Sequence, residues 1–315
     1  MAAIAGVWGG ITLYRQSTEE RARRRLHRAL TQYTSPAIAA QIAERFDRAT
    51  LAPQTATVTC FFSDLRGFTR LSERLGPERT RNVLNPYLET VSRILLDRGA
   101  MVNKFIGDGI FAFFNAPIRV CSDHARAACE AALASSDALL KLNQRLSSDL
   151  GDESLAMRVG VSTGEAFVGD YGSEMKLDYT CIGDTVNLGS RLEQANKVLG
   201  TTILVDDRTR QAAGDGFVFR PIGRIAVSGR STPACVHELV DHPRTADPGF
   251  VEFCDLSARA IAYYQACEWD SCLAVLAEGQ ALRPHDCVLA LYARSVETLQ
   301  RTGRPSHWDG ALPIG

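Results

Sequence analysis

The stretch Lys104-Phe105-Ile106-Gly107-Asp108-Gly109-Ile110-Phe111-Ala112-Phe113-Phe114 decides the fold. Two apolar, strand-like runs, 102–106 and 110–114, flank Gly-Asp-Gly, which is a β-hairpin signal. Upstream, residues 55–63 are β-branched and aromatic, the pattern of a buried strand. That run continues as Phe61-Phe62-Ser63-Asp64-Leu65-Arg66-Gly67-Phe68-Thr69, with a helix beginning near Leu71. Each strand thus delivers one carboxylate beside glycine. Taken singly, Asp64 or Asp108 reads as a turn residue. Together, two hard oxygen ligands from separate strands suit a pair of Mg²⁺ ions running phosphoryl chemistry. The backbone N–H groups at the following helix start, around Phe68 and Thr69, suit phosphate.

Further along, strands and helices alternate through residues 55–242. Helices are expected over 78–96, 123–150 and 185–199. Residues 157–162 and 166–169 flank a glycine turn and read as a second hairpin. Strands follow at 202–205, near 217–220, at 225–227 and at 236–240. This alternation predicts an α/β sandwich with a mixed sheet. Residues 243–250 have linker composition. Residues 251–302 read as helical throughout, with Ala260, Tyr263, Leu276 and Pro284 where a tetratricopeptide helix pair would place them. The expected domains are a catalytic domain at 54–242, this tetratricopeptide-like appendage at 251–302 and a tail at 303–315.

A length of 315 residues suggests about two domains. Hydrophobic content of 45% with 23% charge is ordinary globular composition. A net charge of −1 argues against a nucleic-acid partner. The nine cysteines form no Cys-x-x-Cys and none sits with histidine at zinc spacing, so they read as reduced small hydrophobes. Residues 2–14 are uncharged and apolar but shorter than the roughly 20 residues that span a bilayer. Arg15, Arg21, Arg23, Arg24, Arg25 and Arg28 follow them. That order fits the end of a transmembrane helix, residues 1–14, entering a positive-inside segment. The expected location is a cytoplasmic catalytic domain attached to the inner face of the plasma membrane. An amphipathic or disordered leader is the alternative. Residues 15–53 read as a helical connector able to pair with its copy in a dimer, or as an exposed arginine-rich face.

Four segments carry a resemblance. They are Phe62-Ser63-Asp64-Leu65-Arg66-Gly67-Phe68-Thr69, Lys104-Phe105-Ile106-Gly107-Asp108-Gly109, Arg158-Val159-Gly160-Val161-Ser162-Thr163-Gly164, and the stretch from Asp178-Tyr179-Thr180 through Asn187-Leu188-Gly189-Ser190-Arg191-Leu192-Glu193. In this order they resemble the class III nucleotidyl cyclase catalytic domain, over residues 54–241. The resemblance implies a ferredoxin-like, palm-type α/β sandwich that converts ATP to 3′,5′-cyclic AMP and pyrophosphate. It implies two Mg²⁺ or Mn²⁺ ions per site on Asp64, Asp108 and the Leu65 carbonyl. Arg158 matches a phosphate-binding arginine, Asn187 a ribose-orienting residue and Arg191 a group that stabilises charge on the α-phosphate. Lys104 stands where adenylyl cyclases carry Lys and guanylyl cyclases carry Glu; an ammonium donates to adenine N1. Thr180 stands where many members have Asp and marks a bacterial subclass. The resemblance also implies a head-to-tail homodimer, with the two aspartates from one copy and Lys104, Thr180, Asn187 and Arg191 from the other.

One position departs from the pattern: Ser228 stands in the Val227-Ser228-Gly229-Arg230 turn where the family has a triphosphate-binding lysine. Arg230 is the candidate substitute, and reduced but real activity is expected. A degenerate, nucleotide-binding dimer is the alternative reading; a guanylate cyclase is disfavoured by Lys104. The leader and the C-terminal helices also resemble bacterial cyclases in which a membrane sensor precedes the catalytic domain.

Overall fold

The computed structural model describes residues 52–173, 176–226, 232–243, 245 and 247–314. In it β1 (Gln54–Leu65) pairs antiparallel with β3 (Gly109–Phe114), Ser63 facing Ile110. β2 (Met101–Ile106) pairs antiparallel with β3, Ile106 facing Gly109. Gly107 holds φ +64° at the first central position of this two-residue turn, where hairpin geometry favours glycine. Every residue of β3 is buried, which matches its unbroken apolar run.

The remaining strands are β4 (Met157–Ser173), β5 (Lys176–Ile182), β6 (Ile203–Asp206), β7 (Val218–Ala226), β8 (Ala234–Asp241) and β9 (Leu312–Pro313). They complete one sheet in the order β2-β3-β1-β4-β6-β8-β7-β9, with β5 paired to β4. β4 and β6 run parallel, as do β7 and β9, while β6–β8 and β7–β8 are antiparallel. The sheet is therefore mixed, as expected. Two compact units divide the described residues: 55–167 with 181–314, and 52–54 with Val168–Thr180. In the smaller unit a Cβ on Gly169 would lie 2.5 Å from Pro53 Cα, so glycine permits that approach.

Within the larger unit, side-chain alternation sorts the two faces of the sheet. Val159, Val161, Ile203, Val205 and Leu239 pack with residues of α1 (Phe68–Asp97) and α2 (His124–Arg145). Leu204, Ala234 and Val236 pack instead with Leu188 and Leu192 of α4 (Asp184–Leu199) and with the C-terminal helices. A four-residue α3 (Ser147–Leu150) and α5 (Asp207–Ala213) lie between these elements in the chain.

Several expectations are corrected. The second hairpin is absent: β4 runs unbroken through residues 163–165. Gly164 marks a close approach, because a Cβ there would sit 2.5 Å from Thr185 Oγ1. The strands expected at 217–220 and 225–227 are one strand, β7; Pro221 and Gly223 (φ +94°) make an irregularity in its register. The helix expected near Leu71 and the one expected over 78–96 join as one element, α1, with a kink at Gly76-Pro77. The helix expected over 123–150 breaks at Leu146 into α2 and α3.

The C-terminal region is three helices, α6 (Pro248–Ala266), α7 (Trp269–Leu282) and α8 (Cys287–Thr302). They dock on the chain's own sheet. Arg220 of β7 is 2% exposed and its guanidinium forks onto Asp286, the N-cap of α8, at 2.7 Å on each nitrogen. It also donates to Ser257 of α6 and lies over the Phe253 ring. Tyr292 donates to the Ile222 carbonyl at 2.9 Å. The expected tail contains β9, which adds a parallel edge strand with Leu312 facing Ile225. No helix among the described residues is long and apolar enough to cross a membrane. The segment 1–14, nearly all of the connector, Ser228 and Arg230 lie outside the described residues.

Candidate active site

β1 and the β2–β3 turn bring the two aspartates together. The Leu65 amide donates to Asp108 Oδ2 at 3.1 Å, anchoring the turn carboxylate to the end of β1. Gly109 makes this possible: a Cβ there would lie 2.9 Å from the Ser63 carbonyl and 3.7 Å from Asp64 Oδ1. Phe62 stacks on Phe111 behind the pair, with centroids 4.4 Å apart. Ser63 pairs with the buried Tyr87 hydroxyl at 3.3 Å.

Burial and the neighbouring charge both act on Asp64. Burial pushes the Asp64 carboxyl up to about 6, reinforced by the Asp108 charge and a hydrogen bond between the two carboxyls. Arg158 and the Leu65 amide pull the other way. Two half-buried carboxylates sharing one space, with the backbone carbonyl of Leu65 next in the chain to Asp64, are a donor set of hard oxygens that fits a divalent cation.

A third carboxylate completes the cluster. Glu193 of α4 is pushed up to about 7, first by burial and then by the Asp64 charge, with Arg158 opposing. It reaches the site because Gly160 lets α4 press on β4: a Cβ at 160 would lie 2.2 Å from the Gly189 carbonyl and 2.3 Å from the Glu193 amide. Asn196 fastens the same helix face by donating to the Val159 carbonyl at 2.9 Å. Glu193 ends the fourth quoted segment, yet its role was not legible there. Its four-residue spacing from Gly189 is the one signal that marks this face.

Arg158 of β4 joins Asp64, Asp108 and Glu193 in this electrostatic cluster. Phe68 and Thr69 open α1, whose N-cap Gly67 (φ +70°) supplies no side-chain cap and whose first turn holds no acidic residue. Their amides follow directly on the Asp64–Leu65 strand end. Lys104 is exposed on β2, four residues before Asp108. Thr180 is buried on β5 in the smaller unit.

Asn187 and Arg191 do not join the aspartates. At about 100° per residue, Arg191 lies roughly 200° around α4 from both Gly189 and Glu193. Asn187, one turn earlier, shares its face. That face lies opposite the one that packs on β4, away from Asp64 and Asp108 of the same chain. Among the described residues neither side chain has a hydrogen-bond or ion-pair partner.

Comparison with known proteins bears on the family and the fold. The family model for the adenylate and guanylate cyclase catalytic domain matches residues 51–239. Adenylate cyclase 1 of Rhizobium meliloti (strain 1021) is 38% identical over 185 residues, 58% of this chain. The match spans only 27% of that relative's length. The crystal structure of the adenylyl cyclase CyaB from P. aeruginosa superposes with a TM-score of 0.57 at 36% identity, covering 62% of this chain and all of that one. The guanylyl cyclase Cya2 superposes with a TM-score of 0.56 at 32% identity, covering 62% of this chain and 97% of that one.

Proposed function

We propose that this chain, which belongs to the adenylate and guanylate cyclase catalytic domain family, converts ATP to 3′,5′-cyclic AMP and pyrophosphate at sites shared by two copies arranged head to tail. The observation that carries the reading is the meeting of Asp64 and Asp108, tied by the Leu65 amide. Asp64, Asp108 and the Leu65 carbonyl would hold two divalent cations, Mg²⁺ or Mn²⁺, which would neutralise the triphosphate and acidify the ribose 3′-hydroxyl. The chain's own groups position the substrate. The amides of Phe68 and Thr69 receive phosphate oxygens at the α1 start. Arg158 pairs with the triphosphate through its fork, and Arg230 takes the place left by Ser228. Asn187 orients the ribose. Arg191 stabilises charge on the α-phosphate as the 3′-oxygen attacks in line and pyrophosphate leaves.

Two observations support the shared site. Asn187 and Arg191 face away from the metal pair of their own chain, so they serve a pair on another. Phe105 and Ile106, on the edge strand β2 next to Lys104, are 51% and 58% exposed, an apolar surface suited to a second copy. Lys104 favours ATP over GTP by donating to adenine N1, and Thr180 accepts from the adenine amino group. The apolar-then-arginine order of residues 2–28 supports attachment at the inner face of a membrane.

Ser228 favours one second reading, a dimer that binds nucleotide with little turnover. Purified full chain assayed with Mn²⁺-ATP separates the two. Cyclic AMP well above the Asp64→Ala control, with ATP used faster than GTP, is expected. Production no greater than that control removes the enzymatic reading.

A further inference from the structure

We propose that Asp207, Cys235 and His237 form a second metal site, a three-ligand Zn²⁺ site distinct from the Asp64–Asp108 pair. Cys235 and His237 are two apart on β8, so the strand pleat aims both side chains at one face. Asp207, the first residue of α5, meets them there. The three ligand atoms lie within 4.8 Å of one another.

The separations suit a tetrahedral ion. Zinc–ligand bonds of about 2.0–2.3 Å at tetrahedral angles place sulfur and nitrogen about 3.6 Å apart, and nitrogen and oxygen about 3.3 Å apart. Cys235 Sγ is 3.9 Å from His237 Nε2, and His237 Nε2 is 2.9 Å from Asp207 Oδ1. The two distances depart by about 0.3 and 0.4 Å, within reach of small side-chain rotations. A thiolate, an imidazole and a carboxylate are a mixed donor set that Zn²⁺ accepts and Mg²⁺ does not.

Outer contacts orient the carboxylate. Arg210 donates to Asp207 Oδ1 at 3.2 Å, and Gln211 holds Asp207 Oδ2. Such second partners hold a ligand in place. The fourth position is open. A cavity of about 230 Å³, lined by Thr163, Asp184, Asp206, Asp207 and Cys235, adjoins the cluster and gives water a place to complete the coordination. The sequence contained the Cys-x-His pair but not its third member, which lies about thirty residues earlier in the chain. The nine cysteines read as reduced small hydrophobes, and among them Cys235 is exposed and sits with histidine and aspartate.

The test is a Co²⁺ titration of the metal-free full chain, Co²⁺ standing in for Zn²⁺. The expected result is a thiolate-to-cobalt charge-transfer band in the near ultraviolet that saturates with one band-forming ion per chain and is displaced by Zn²⁺. The Asp64–Asp108 pair has no sulfur and cannot produce that band. Cys235→Ser should abolish it, and His237→Gln should weaken Co²⁺ binding at least tenfold. Cys287→Ser, at another exposed cysteine, should leave the band intact. Circular dichroism of metal-free Cys235→Ser should match the parent, since the side chain is exposed. No charge-transfer band in the parent, or a band that survives Cys235→Ser, overturns the proposal.

Discussion

Gly160→Ala tests whether the third carboxylate of the site depends on contact between α4 and β4. The new Cβ would stand 2.2 Å from the Gly189 carbonyl and 2.3 Å from the Glu193 amide. Both are backbone atoms, so no side chain can rotate away. Reaching a separation of about 3.4 Å requires α4 to lift by about 1 Å, since carbon contacts become favourable only near 3.5 Å. Overpacking of this kind costs about 1–3 kcal/mol, and the rigid neighbours put this case at the upper end. The Asn196–Val159 hydrogen bond, now 2.9 Å, would stretch past bonding distance and cost about 1 kcal/mol more. The total is about 4 kcal/mol, measurable by urea unfolding as a shifted midpoint. Displacing Glu193 and Arg191 by about 1 Å should also lower kcat about a hundredfold. A variant within 0.5 kcal/mol of the parent and fully active would refute the reasoning: α4 would not be pressed on β4 as described.

Other perturbations read other parts of the account. Asp286→Ala strands the buried Arg220 guanidinium; Glu238 and Ser257 remain near it, so the loss sits at the low end of a buried pair, about 3 kcal/mol. The lost α8 cap adds about 1 kcal/mol, which Asp286→Asn should recover in a thermal melt. With pH, Asp64 (about 6) and Glu193 (about 7) hold protons more tightly folded than unfolded. Stability from these groups is therefore full below the ordinary carboxylate range and is lost as pH rises toward 7. The Tm of metal-free protein should fall across that window, Mg²⁺ or Mn²⁺ should reverse the fall, and a slope unchanged in Asp64→Asn/Glu193→Gln would contradict the assignment. Ser228→Lys should raise kcat/KM for ATP about tenfold or more, from the roughly 1.5–3 kcal/mol of a restored hydrogen bond to charge; unchanged kinetics would show the turn is not a triphosphate contact.

The meeting of Asp64 and Asp108 was legible because its signals are local. A hairpin glycine, an apolar run and a terminal carboxylate all lie within a few residues of one another, and Gly107 and Gly109 do what hairpin geometry asks. Glycine was also the source of error. Gly164 and Gly223 look like turns in sequence but serve close packing and an irregularity inside long strands. Glu193 was hidden because a charged residue on a helix reads as a solvated face; only the contact at Gly160 turns it inward. Residues meeting from distant segments left no sequence trace: the Arg220–Asp286 fork that ties the C-terminal helices to the sheet, the two-residue β9, and Asp207 beside His237.

The central claim is that each site needs two copies, one giving Asp64 and Asp108, the other Asn187 and Arg191. Mixing two inactive variants, Asp64→Ala and Arg191→Ala, after exchange of subunits tests it most directly. Random pairing makes about half the dimers mixed, each with one intact site of two, so about a quarter of the parent cyclic AMP production should return. A mixture no more active than either variant alone would contradict the account.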